Sequence, residues 1–147
     1  MRKILLYMIF FVVGTTSCHS SKKTVTDSVI IEKKVAPSLN GSWQLQMIFA
    51  SDNNWTNVPS MSINLTDRTF SGNSGCNNIK GQFTISGSYL GFDKNIISTK
   101  KACASAADNL YEKGFLSALL KVNKYTINND ELELGQGEIV LMKFKRN

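Results

Sequence analysis

"SGNSGCNNIKGQF", residues 71–83, is the stretch on which the fold reading turns. Glycines, asparagines and a cysteine interrupt what otherwise reads as strand, so it predicts two strands joined by a polar turn. The upstream arm, "TFSGNSG", returns from a turn at Thr66-Asp67-Arg68. The downstream arm, "NIKGQFTIS", supplies Ile79, Phe83 and Ile85, with Gly81 weakening the strand or marking a bulge. Further upstream, "GSWQLQMIF" puts Trp43, Leu45, Met47 and Phe49 on one face, the period-two signature of a half-buried strand. "SMSINL" does the same with Met61, Ile63 and Leu65, and "SDNNWTNVP" between them is a polar loop around Trp55. Downstream, Gly87-Ser88 predicts a hairpin turn before "YLGF", and "NIIST" reads as one more short strand.

The period changes once. Tyr111, Phe115, Ala118, Leu119 and Val122 recur at helical spacing, predicting an amphipathic helix over residues 107–122. Ser105 or Asp108 can cap its start, because a side-chain oxygen satisfies free N–H groups of the first turn. Gly114 costs that helix about 1 kcal/mol relative to Ala, which suggests close packing against a strand. "KYTIN", "ELEL" and "EIVLMKF" follow as strands, separated by Asn128-Asn129-Asp130 and Gly135-Gln136-Gly137. One helix and about eight short strands predict a mainly β fold. Its form is a small antiparallel barrel or strongly curved sheet, with the helix over an open end or face.

The compartment is read from the N-terminus. Met1-Arg2-Lys3 precedes ten apolar residues, Ile4 to Val13. That run is too short to span a bilayer as a helix, which takes about twenty residues. A charged start, an apolar run and small residues form a signal-peptide pattern. Gly14-Thr15-Thr16-Ser17 leads directly to Cys18. This resembles a bacterial lipobox, in which the cysteine is diacylated and becomes the first mature residue. Ser17 and Thr16 fit, whereas Thr15 stands where leucine is usual. Residues 1–17 are therefore read as a lipoprotein signal peptide and Cys18 as the lipidation site. The other reading is an ordinary secretory signal with an incidental Cys18. Residues 18–38, rich in Ser, Thr and Lys and closing on Pro37, read as a lipid-anchored flexible tether. The expectation is an exported protein anchored in the outer membrane and facing the periplasm.

The chain carries a net charge of +6. From residue 39 onward it has 11 basic and 9 acidic residues, so the domain at 39–147 is nearly neutral. No dense basic stripe suggests nucleic acid. The only histidine is His19, in the tether. Without an imidazole in the domain, Ser-His-Asp and Cys-His nucleophilic arrangements are excluded. Two cysteines alone make a poor zinc set, which takes four N or S ligands, so no metal or cofactor is expected. Asp130, Glu131 and Glu133 could in principle act as a glycosidase pair. Glu131 and Glu133 alternate with Leu132 and Leu134, however, which places them on a solvent face. A non-enzyme is expected.

With Cys18 set aside, Cys76 and Cys103 are an even pair in an exported domain, for which a disulfide is the default. Closing that loop would contribute about 3 to 4 kcal/mol by the chain-entropy argument. Two buried free thiols, or one reactive thiol near Lys100 and Lys101, are the alternatives.

A set of strings then reaches a resemblance. Gly41-Ser42-Trp43-x-Leu45 opens the domain, followed by Phe70-Ser71-Gly72, Gly75-Cys76-Asn77-Asn78 and Gly81. Ser98-Thr99, Lys101-Ala102-Cys103, Glu112, Phe115-Leu116-x-x-Leu119, Tyr125 and Leu132-x-Leu134 complete it. In order and spacing, residues 39–147 resemble the META/HslJ family of heat-shock-associated envelope lipoproteins. Lys101 departs from the methionine common before Ala102. The resemblance implies a small conical antiparallel barrel with one helix and a part in envelope stress response, including tolerance of antibiotics such as novobiocin. It brings no catalytic residues. The function expected is a non-catalytic, lipid-anchored protein that binds another envelope component. Trp55, Asn73, Asn77 and Asn78 are the candidate surface. Trp55 serves either as an interface anchor or as a plug folded back on a barrel end. A carrier of a small apolar ligand in the barrel, or an inhibitor of a wall-degrading enzyme, are the alternatives.

Overall fold

The computed structural model describes residues 38–147; the expected signal peptide at 1–17, the expected lipidation site Cys18 and all but the last residue of the expected tether at 18–38 lie outside the described residues. Alternating apolar residues in β1 (Gly41–Ile48), β2 (Ser60–Asn64), β3 (Thr69–Asn73) and β4 (Asn78–Ser86) fold these segments into an antiparallel meander. β5 (Tyr89–Phe92) continues it, and β6 (Ile97–Ser98) is a two-residue bridge to β4. After helix α1 (Ala106–Leu119) come β7 (Lys124–Asn128), β8 (Glu131–Gln136) and β9 (Ile139–Arg146). The sheet runs β5-β4-β3-β2-β1-β9-β8-β7. Its two ends meet where the Tyr125 N–H donates to the Ser88 carbonyl at 3.0 Å, leaving an eight-stranded, nearly closed antiparallel barrel.

Inward-facing residues fill the barrel with Trp43, Leu45, Met61, Phe70, Phe83, Leu90, Leu132, Leu134, Met142 and Phe144, all buried. Phe115 and Leu119 of α1 cap this core, and Phe115 meets Phe144 edge-on at 6.4 Å. Each such side chain contributes about 1.5 to 3 kcal/mol through removal from water. Arg146 joins the domain's beginning to its last strand. Its guanidinium lies 4.1 Å above the Trp43 ring and donates to the carbonyls of Ser38 and Asn40.

Four local expectations change. The alternation predicted through Phe49 stops at Leu45, because β1 takes an extra residue against β9 between Leu45 and Met47. This bulge reverses the faces. Ile48 turns inward, leaving Met47 and Phe49 38% and 46% exposed. Gly81 marks no bulge. A Cβ there would lie 2.7 Å from the Phe70 ring, so the missing side chain admits that aromatic. Gly114 does not pack against a strand: a Cβ there would meet nothing within 4 Å. The helix also ends three residues early, at Leu119. Val122 stays buried through a tightened turn in which its N–H bonds the Leu119 carbonyl.

Candidate functional site

Between β3 and β4 the chain turns through Ser74-Gly75-Cys76-Asn77. The turn is closed from within: the Ser74 N–H donates to the Asn77 carbonyl at 2.8 Å, and the Gly75 N–H donates to Asn73 Oδ1 at 2.7 Å. Gly75 holds φ +99°, and a Cβ on it would stand 2.8 Å from the Trp55 ring. A left-handed backbone and an aromatic at contact distance both require glycine here. Trp55 is thus folded back, half-buried, onto this backbone and against Tyr111 at 5.2 Å. Its Nε1–H is buried without a hydrogen-bond partner among the described residues. Asp52 accepts the Tyr111 hydroxyl proton at 2.8 Å, a bond that raises the phenol's pKa.

Beneath the turn lies Glu112 of α1, a buried carboxylate. Ser74 Oγ donates to its Oε1, as does the Asn77 N–H at 3.0 Å. Asn77 Nδ2 donates to Oε2 at 2.8 Å. Asn77 Oδ1 in turn accepts from Thr99 Oγ1 at 2.9 Å and the Lys101 N–H at 2.8 Å. An unsolvated charge is tolerated only when so bonded, and these bonds lock turn, helix and the 99–101 segment together. A disulfide joins Cys76 to Cys103 across the same junction, with Cα atoms 5.5 Å apart. Cys103 Sγ lies 3.7 Å from Glu112 Oε2. At the helix start, Ser105 caps through a 3.0 Å bond from the Asp108 N–H. Hydrogen bonds from Thr56 and Ser105 hold the Asp108 carboxyl below the usual carboxylate range.

Of the sequence candidates, Asn77 does not belong to a surface. It is 4% exposed and its side chain is committed to the lock. Asn73 is half-buried and Asn78 exposed, and Asn73 Nδ2 donates to Asn78 Oδ1 at 3.2 Å on the outer sheet face. Glu112 and Ser74 received no role from sequence. The signal for Glu112 was present: it sits three residues before Phe115 and seven before Leu119, on the helix's buried side. The acidic cluster lies on the outside, where Glu133 pairs with Lys143 at 2.7 Å and raises its pKa.

The outer face of β1–β4 carries a groove of about 980 Å³. Its floor is a cross-strand row, Ser42–Ser62–Ser71–Lys80–Ile97, in direct register. Ser42 and Ser62 share a 2.7 Å hydrogen bond. A second row, Asn64–Thr69–Gln82, flanks it. Its hydroxyls and carboxamides, with the Lys80 ammonium and the Asp93 carboxylate, can bind a partner by hydrogen bonding.

A nearly closed antiparallel barrel capped by one helix, with its polar lock at the cap, defines a small β-barrel domain. The family model described as the META domain matches residues 36–147, and the chain belongs to that family. Two solved structures show the same fold. An NMR structure of a Burkholderia xenovorans protein has 20% identity and a TM-score of 0.56, covering 74% of this chain and 82% of that one. A crystal structure of a DUF4847 family protein from Bacteroides vulgatus has 16% identity and a TM-score of 0.52, covering 74% and 93%. None of the curated proteins matches the chain.

Proposed function

We propose that this is a non-catalytic, lipid-anchored protein of the cell envelope whose domain binds another envelope component, in support of tolerance to envelope stress or antibiotics. The groove over β1–β4 carries this reading: it is a roomy recess of mixed polar and apolar lining on a barrel whose interior is already filled by side chains. The filled interior weighs against an apolar ligand held inside. Asn73 and Asn78 extend the groove's polar surface along the same sheet face. Photo-crosslinkers placed at Ser62 and Ser71 in the full chain, in its own membranes, should capture a defined envelope component. A crosslinker at Glu131, on another part of the barrel, should not. Equal capture from all three positions, or none from the groove, would overturn the reading.

A further inference from the structure

We propose that Cys76, Cys103 and Glu112 become a binding site for a thiophilic divalent cation of the zinc class when a dithiol reductant opens the disulfide. The two Sγ atoms and a Glu112 carboxylate oxygen lie within 4.8 Å of one another. A tetrahedral ion with metal–sulfur and metal–oxygen lengths of about 2.3 and 2.1 Å spaces its ligands roughly 3.5 Å apart, close to the 3.7 Å already between Cys103 Sγ and Glu112 Oε2, and the two sulfurs separate to that spacing once their bond opens. Counting cysteines alone, as the sequence invites, misses the third ligand because Glu112 reaches the pair only through the fold.

Positioning does not depend on the sulfur–sulfur bond. Ser74 and Asn77 tie the Cys76 turn to Glu112, and Asn77 ties it to the segment leading to Cys103. Both thiols therefore stay beside the carboxylate after reduction. Asn77 Nδ2 also lies 3.5 Å from Cys76 Sγ and can donate to that sulfur. A recess of about 560 Å³, lined in part by Cys103, Thr99, Asn109 and Glu112, opens onto the junction and leaves room for a water as fourth ligand. Two thiolates and a carboxylate around a divalent ion leave one negative charge. Lys100 and Lys101 line the same recess and offset it.

The step balances as thiol–disulfide exchange. A thiolate of the dithiol attacks one protein sulfur, forming a mixed disulfide and releasing the other as thiolate. The reductant's second thiol then attacks its own sulfur in that bond and leaves as a cyclic disulfide. The protein gains two electrons and two protons, and the cation displaces the two protons.

The test is a Co²⁺ titration of the full chain carrying Cys18→Ser, so that only Cys76 and Cys103 report. The chain, reduced by a phosphine, should bind a single Co²⁺ with a thiolate-to-cobalt charge-transfer band that Zn²⁺ abolishes. The oxidised chain should show none. Cys103→Ser, which leaves every bond to Glu112 from Ser74 and Asn77 in place, should lose the band. Glu112→Gln should weaken binding about tenfold or more. No band in the reduced chain, or unchanged binding by Cys103→Ser or by a folded Glu112→Gln, would overturn the proposal.

Discussion

Asn77→Asp changes one N–H₂ group to an oxygen at the centre of the lock, and its consequence can be worked through. The substitution keeps the acceptor that Thr99 and Lys101 use, but sets a carboxylate oxygen 2.8 Å from Glu112 Oε2, where Nδ2 now donates. Two unit charges at that distance repel by about 6 kcal/mol at an effective dielectric near 20. Protonating one of them at pH 7 costs less. With ordinary carboxyl values near 4 it takes roughly three pH units, or about 4 kcal/mol. The acquired proton then rebuilds the hydrogen bond. The folded variant thus holds one proton more than the unfolded chain from about pH 4 to neutrality. Its stability relative to wild type should fall by about 1.4 kcal/mol per pH unit as pH rises through that window, and the penalty should vanish near pH 4. Adding Glu112→Gln exchanges donor and acceptor. The new amide nitrogen can donate to the new carboxylate, while its oxygen still accepts from Ser74 Oγ and the residue 77 N–H. Urea unfolding of wild type, both single variants and the double variant at pH 7 and 4.5, with the disulfide intact, reads all of this. A single variant as stable as wild type at pH 7, or a double variant no better than the weaker single, would refute the lock.

Gly114→Ala should stabilise the domain by about 0.5 to 1 kcal/mol, read as a higher Tm, since the new methyl meets nothing and the helix gains propensity. Gly75→Ala should cost at least about 1 to 2 kcal/mol through its left-handed backbone alone. It should also red-shift tryptophan fluorescence as Trp55 is pushed off the turn, Trp43 remaining buried. Asp108→Asn removes a carboxyl held low by Thr56 and Ser105. The stability that carboxyl adds is present above about pH 4 and lost as pH falls below it, so the gap between variant and wild type should close between pH 7 and 2 in denaturant titrations.

What was legible in the chain is what short spacing encodes. "YLGF" and "KYTIN" coincide with β5 and β7, because a strand between turn residues needs only its own few side chains to declare itself. Ser105 was readable as a cap for the same reason. The β1 bulge was not, since Gln46 looks like any outward residue and only pairing with β9 shows that it is extra. Nor was Asn77's burial. An asparagine in a glycine-rich turn has the composition of a surface loop, and its partners lie 22 to 35 residues away.

Gly75 shows why composition misled there. Its lack of a side chain was readable as turn chemistry, and it is that, at φ +99°. The same lack lets Trp55 close over the turn from outside while Glu112 supports it from within. Glycine and asparagine at this place do the work that apolar bulk does elsewhere in the core: they allow close approach and then satisfy the turn's own backbone groups and the Glu112 carboxylate, leaving only the Trp55 Nε1–H without a partner among the described residues. A turn built to be exposed would tolerate Gly75→Ala whenever the backbone could relax. This one has an indole on one side and a buried carboxylate on the other, so relaxation in either direction breaks a packed contact. The segment least like a strand is therefore among the least replaceable in the barrel.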